Sequence, residues 1–151
     1  MNAVELLKSD HDVVDRLFQK VKATDEKEHK ELFVKIKAEL DVHTHIEETI
    51  FYPKLIEDGN EKLKDITLEG IEEHRQAKMF LRQLSDLTDD SEKFQPKLKV
   101  LMEDIAHHVM EEEGQMFPMV EEQFDSKVLD DLRTEMEAEK KKFAKSQSAS
   151  A

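Results

Sequence analysis

His43-Thr44-His45-Ile46-Glu47-Glu48-Thr49-Ile50-Phe51-Tyr52-Pro53 is the stretch from which the fold can be read. Residues four apart on an α-helix differ by about 40° of rotation and one turn of rise, so the tips of His43 and Glu47 converge. The stretch recurs as His108-Val109-Met110-Glu111-Glu112-Glu113-Gly114-Gln115-Met116-Phe117-Pro118, with His, Glu, Glu and Pro at the same offsets. Upstream of each copy stands a lone histidine, His11 and His74, at nearly the same remove. The chain therefore reads as two helical hairpins, each supplying one His and one His-x-x-x-Glu pair.

Outward from these pairs, apolar residues recur at helical spacing in four long segments. Val4, Leu7, His11, Val14, Phe18 and Val21 form the first stripe, opened by Asn2 with Glu5 as a capping box. Thr24 or Asp25 is expected to cap the second, which runs Phe33, Ile36, Leu40, His43, Glu47, Ile50 until Pro53 bends or ends it. After a turn at Asp58-Gly59-Asn60, the third is expected from about Asp65 to Leu87, with Ile71, His74, Lys78 and Leu81 inward. Ser91 is the expected cap of the fourth, which reads Leu98, Leu101, Ile105, His108, Glu112. The expectation is an all-α, up-down-up-down four-helix bundle over residues 1–124. A shorter fifth helix from Ser126 to about Lys142 and a disordered end complete residues 125–151.

Composition supports this reading. Only 3 Gly and 3 Pro occur in 151 residues, too few turn formers for a sandwich or barrel. Without cysteine there are no disulfides, thiolate zinc sites or thiol nucleophiles, so any metal must be held by His and carboxylate. The net charge of -13 disfavours nucleic acid as a partner. No membrane span or leader is evident, so a cytoplasmic location is expected.

Four histidines and two glutamates thus interrupt four apolar stripes. Burying two carboxylates and four imidazoles together costs several kcal/mol per charged group unless a cation lies between them. A metal pair held by His11, His43, Glu47, His74, His108 and Glu112 meets that need, with each glutamate able to span both ions. About four protein donors per ion leave positions for a small ligand. The donor set suits iron, and manganese and zinc are chemically compatible with it. Among the remaining candidates, His29 and His45 read as surface residues, and His107 as solvated or an outer hydrogen-bond partner. Asp15 is a rival ligand four residues after His11, though its counterpart in the repeat is Lys78. Tyr52 has two readings, a redox neighbour approaching the metals or a capping or interface residue, and its rotation of about 180° from His43 on a regular helix favours the second. Glu48, Glu111 and Glu113 read as solvated acids or supports of the ligands.

Across residues 2–124 the chain resembles the hemerythrin-like, or HHE cation-binding, family of four-helix bundles. The resemblance rests on the two His-x-x-x-Glu-Glu segments ending in Phe51-Tyr52-Pro53 and Phe117-Pro118, with Asp10-His11-Asp12 and Glu73-His74. It implies a non-haem di-iron site, oxo- or hydroxo-bridged, on the same six residues. Oxygen-carrying hemerythrins have His-x-x-x-His on the third helix, where this chain has His74 and Lys78. Their second bridging acid matches Glu113, whereas the symmetric spacing favours Glu112. The four-His, two-Glu set is similar to that of di-iron proteins implicated in iron–sulfur repair under nitrosative stress. Two functions are compatible with the resemblance. One is binding or reduction of O₂, NO or peroxide, drawing on an electron donor not identified. The other is an iron or oxygen sensor, or an iron-handling module, without turnover.

Overall fold

The computed structural model describes residues 1–150, with side chains through Gln147. Helix α1 (Ala3–Ala23) opens with the expected capping box: Asn2 Oδ1 accepts from Glu5 N at 3.0 Å, and Glu5 Oε1 accepts from Asn2 N at 3.2 Å. Asp25 precedes a 3₁₀ turn, Glu26–Glu28, but makes no side-chain cap, and α2 (His29–Ile46) follows directly. Contrary to the surface role expected of it, His29 is buried. Its Nε2 donates to the Thr24 carbonyl at 3.2 Å and its Nδ1 lies 2.9 Å from the Gln95 amide, tying the first loop to the fourth rod.

Pro53 neither ends nor breaks the second rod. The chain widens into a π turn, Glu47–Phe51, and continues as α3 (Tyr52–Asp58). Tyr52 N–H donates to the Glu47 carbonyl, five residues back, so the helix has already left the four-residue ladder when the proline arrives. The same device recurs in α5 (Phe94–Glu111), π turn Glu112–Met116 and α6 (Phe117–Gln123). Between the two rods lies α4 (Glu61–Asp86), which starts four residues before the expected Asp65 because Asn60 Oδ1 accepts from Leu63 N at 2.9 Å. Ser91 Oγ accepts from Lys93 N and holds the turn before α5, rather than capping the helix itself.

Helix α7 (Ser126–Ser150) is 25 residues long and passes the expected end near Lys142. Residues 146–150 of the anticipated disordered tail are therefore helical, and Ala151 lies outside the described residues. The helix packs along α1 and α2. No helix among the described residues is long and apolar enough to cross a membrane.

The rods form an all-α bundle whose interior is divided. One apolar cluster joins Leu7, Phe51, Leu55, Leu63, Phe117 and Val120 to Leu132 and Met136 of α7. The other joins Phe18, Phe33, Ile36, Leu81, Phe94 and Leu98 at the opposite end. Between them lies a buried polar layer containing His11, His43, Glu47, His74, His108 and Glu112. Lys78 is not part of it; Ala77 occupies the inward position of α4, because the stripe steps by three rather than four after His74.

Candidate metal centre

Each of the six polar residues arrives from a different turn of the bundle, and all meet. Glu47 and Glu112, fully buried, are the first residues of the two π turns. Glu47 Oε1 lies 3.1 Å from His43 Nε2 of its own hairpin and 3.1 Å from His74 Nε2 of the other. Glu112 Oε1 lies 3.0 Å from His11 Nε2, and its Oε2 lies 3.4 Å from His108 Nε2. Each carboxylate therefore spans both hairpins. Taken by proximity, the donors fall into two groups: His11, His43 and Glu112, then Glu47, His74 and His108. The histidines stay with their own hairpin while the glutamates cross.

These atoms are close without being satisfied. His11 Nε2, His43 Nε2, His108 Nε2, both oxygens of Glu47 and Oε1 of Glu112 are buried and lack aligned hydrogen bonds. Buried polar groups are almost always hydrogen-bonded, and six orphans aimed at one volume describe a cation site. Imidazole nitrogen with carboxylate oxygen, and no thiolate, is the donor chemistry of first-row ions such as iron.

The other ring nitrogen of every histidine is held by an acid. Nδ1 of His11 donates to Glu113 at 2.6 Å, that of His43 to Asp10 at 3.0 Å, that of His74 to Glu48 at 2.8 Å and that of His108 to Glu73 at 2.6 Å. This fixes the tautomer with Nε2 facing inward. The four supports obey the repeat. Asp10 and Glu73 precede the lone histidines, and each holds the paired histidine of its own hairpin. Glu48 and Glu113 follow the inward glutamates, and each holds the lone histidine of the opposite hairpin. Glu113 is thus a support, and Glu112 occupies the inward place.

The acids also set the charge of the metal-free site. Burial lowers the His43 pKa, but Glu47 and Asp10 outweigh it and raise it to about 10. Burial acts likewise on His108, where Glu112 and Glu73 raise the pKa to about 11. Burial raises Glu48, yet His74 and Lys78 bring it down to about 2.

Tyr52 is the residue the spacing misplaced. The π turn inserts one residue, so rotation after Glu47 lags by about 100° and the side chain swings inward. Its hydroxyl donates to Glu112 Oε2 and lies 3.4 Å from His74 Nε2. Burial, followed by the Glu112 and Glu47 charges, raises its pKa well above the ordinary value, keeping it a proton donor. Gly70 makes room: a Cβ there would stand 3.3 Å from the phenol oxygen.

The remaining candidates sit outside. Asp15 is exposed and belongs to neither donor group of the buried layer. Lys78 Nζ donates to Glu48 Oε1 at 2.6 Å. His107 is exposed against Glu111 at 3.0 Å, and half-buried His45 donates to Glu139 at 2.8 Å. On the side away from Tyr52, a cavity of about 130 Å³ reaches the imidazoles of His11, His43, His74 and His108 between Val14, Leu40, Ala77 and Ile105.

Among solved structures, the chain resembles the crystal structure of a hemerythrin HHE cation binding domain-containing protein, an Rv2633c homolog, from Mycobacterium kansasii. The TM-score is 0.79 at 28% identity, covering 97% of this chain and 89% of that one. It is also 26% identical over 144 residues to a protein described as DNA nickase from Nostoc sp. (strain PCC 7120 / SAG 25.82 / UTEX 2576), covering 95% of this chain but 40% of that protein. A family model for the hemerythrin HHE cation binding domain matches residues 2–120, which include all six inward residues and all four acids behind them. The chain, with its paired His and Glu segments meeting in one buried layer, belongs to the hemerythrin HHE cation-binding domain family.

Proposed function

We propose that His11, His43, Glu47, His74, His108 and Glu112 hold two iron ions, and that the protein binds or reduces O₂, NO or peroxide there. The observation that carries this reading is the set of unsatisfied buried donors, with both glutamates reaching across the hairpins. When bound, two ferrous ions supply two electrons, which with two protons reduce one peroxide to two waters. The chain does the rest. The four outer acids orient the imidazoles, the two apolar clusters exclude bulk water, and Tyr52 holds a proton on Glu112 Oε2. The cavity of about 130 Å³ beside the four imidazoles has room for a diatomic or a peroxide.

The nickase activity named for the Nostoc protein is not part of this proposal. This chain spans two-fifths of that protein, and its charge of -13 opposes a phosphate backbone.

Metal counting on protein from iron-supplemented cells, followed by addition of O₂, NO or H₂O₂ to the reduced sample, tests the reading. Two irons per chain and a changed visible spectrum are expected. A protein with fewer than two irons, or an iron-loaded one inert to all three, overturns it. Many equivalents of peroxide consumed per site mark an enzyme; one event per site marks a sensor.

A further inference from the structure

The family model stops at residue 120, yet the centre does not. Lys140, on the outer helix α7, donates from Nζ to Asp10 Oδ1 at 2.5 Å, and Asp10 Oδ2 accepts from His43 Nδ1 at 3.0 Å. Asp10 thus has one oxygen on the histidine and the other on a cation from a helix beyond the matched segment. Two further contacts seat that part of α7 on α2. His45 Nε2 is 2.8 Å from Glu139 Oε1, and the His45 ring lies 4.6 Å from that of Phe143.

Among the described residues, the equivalent acid in the other hairpin has no such partner helix. Glu73, which holds His108, is 34% exposed, whereas Asp10 is 6% exposed. Glu73 faces the exposed His107 and Glu111, and among the described residues no lysine is bonded to it. An acid locked at both oxygens cannot rotate away from its histidine. One held at a single oxygen and open to water can.

We propose that Lys140 is a positioning residue for the centre: through Asp10 it locks His43 at the His11–His43–Glu112 position from outside the matched segment, as Lys78 through Glu48 locks His74 at the other position from within it. The proposal rests on the di-metal reading above. Supports behind a ligating histidine are typically worth 10–100-fold in metal affinity, so removing one lock and leaving the other should weaken one position selectively.

The test uses the full chain and the Lys140→Met variant, which keeps the aliphatic stem. Both are titrated anaerobically with ferrous iron against a competing chelator, and zinc-loaded samples are compared by proton NMR in the imidazole N–H region. Two equivalents are expected in the unmodified protein. In the variant one equivalent alone should weaken about tenfold or more, and the His43 Nδ1 proton should shift or exchange faster. The protons of His74 and His108 should hold, and Lys140→Arg should restore both readouts. Unchanged affinities and an unchanged His43 proton in Lys140→Met overturn the proposal. Equal weakening of both equivalents also overturns it, since that marks a general loosening of α7. Fewer than two ions in the unmodified protein overturns the di-metal reading and this inference with it, and that failure is visible before any substitution is made.

Discussion

The two halves of the centre are built from one repeated pattern and finished differently. His11 with His43 and His74 with His108 have the same ring-centroid separation, 4.9 Å, at near-equal interplanar angles of 61° and 59°. Phe117 stacks on His11 where Tyr52 lies against His74, each the residue before the proline of its repeat. The repeat carries the inward geometry; the differences lie one layer out. Tyr52 has a hydroxyl that Phe117 lacks, Lys78 clamps Glu48 where the matching position of α1 is the exposed Asp15, and α7 closes over Asp10 but not Glu73. A symmetric donor set can thus be made chemically unequal without changing a donor.

Removing a bridge should break both halves at once. Glu47→Ala or Glu112→Ala leaves two imidazoles from different hairpins without their shared carboxylate, so metal content should fall toward zero by elemental analysis. Loss of only one ion would show that the glutamates serve single positions. The next largest effect erases an asymmetry. Tyr52→Phe gives the first repeat the ring of the second and deletes a hydrogen bond to a buried carboxylate, worth about 1.5–3 kcal/mol. Metal should remain at two per chain, while the melting temperature falls and the spectral response of the reduced protein to peroxide changes rate. An unaltered rate would make Tyr52 a packing residue.

Acidity offers a test in which the halves should agree. The folded pKa values of His43 and His108, about 10 and about 11, exceed the unfolded value of 6.5. In the metal-free protein their contribution to stability is complete below about pH 6.5 and is lost as pH rises through 10 to 11. Glu48, at about 2 against 4.5, contributes above 4.5 and loses that contribution as pH falls toward 2. Metal reverses the histidine trend, because a ligating imidazole must give up its Nε2 proton, so affinity should rise with pH. Melting curves should therefore diverge: between pH 6.5 and 9 the metal-free protein loses stability as the gap between metal-loaded and metal-free samples widens. A constant gap would mean that no imidazole proton is displaced. The smallest effect is expected at His45. His45→Ala removes a half-buried bond to Glu139 on the face away from the centre, so metal content should stay unchanged while α7 loosens slightly.

Much of this was legible in the chain. The helical period, the capping box at Asn2 and Glu5, and polar residues standing where core residues belong are all local, and they place the four rods and the six inward residues. Regular helical spacing alone misplaces Tyr52, Lys78 and His29. Helical spacing assumes uniform rotation and cannot see a π turn, a stripe that steps by three, or a loop folded onto another rod. The acids behind the histidines carried a weak signal, since Asp10, Glu48, Glu73 and Glu113 each adjoin an inward residue, but adjacency does not say which ring an acid will reach.

The sequence by itself determined that four imidazoles and two carboxylates lie in the path of the core, because the period of a helix is a property of its backbone. Only the tertiary structure decided which hairpin each glutamate reaches into, which acid holds which imidazole, that Tyr52 turns inward and that α7 covers one half alone. Those outcomes depend on contacts between residues distant along the chain, such as Asp10 with Lys140, whose energies exist only once the rods have packed.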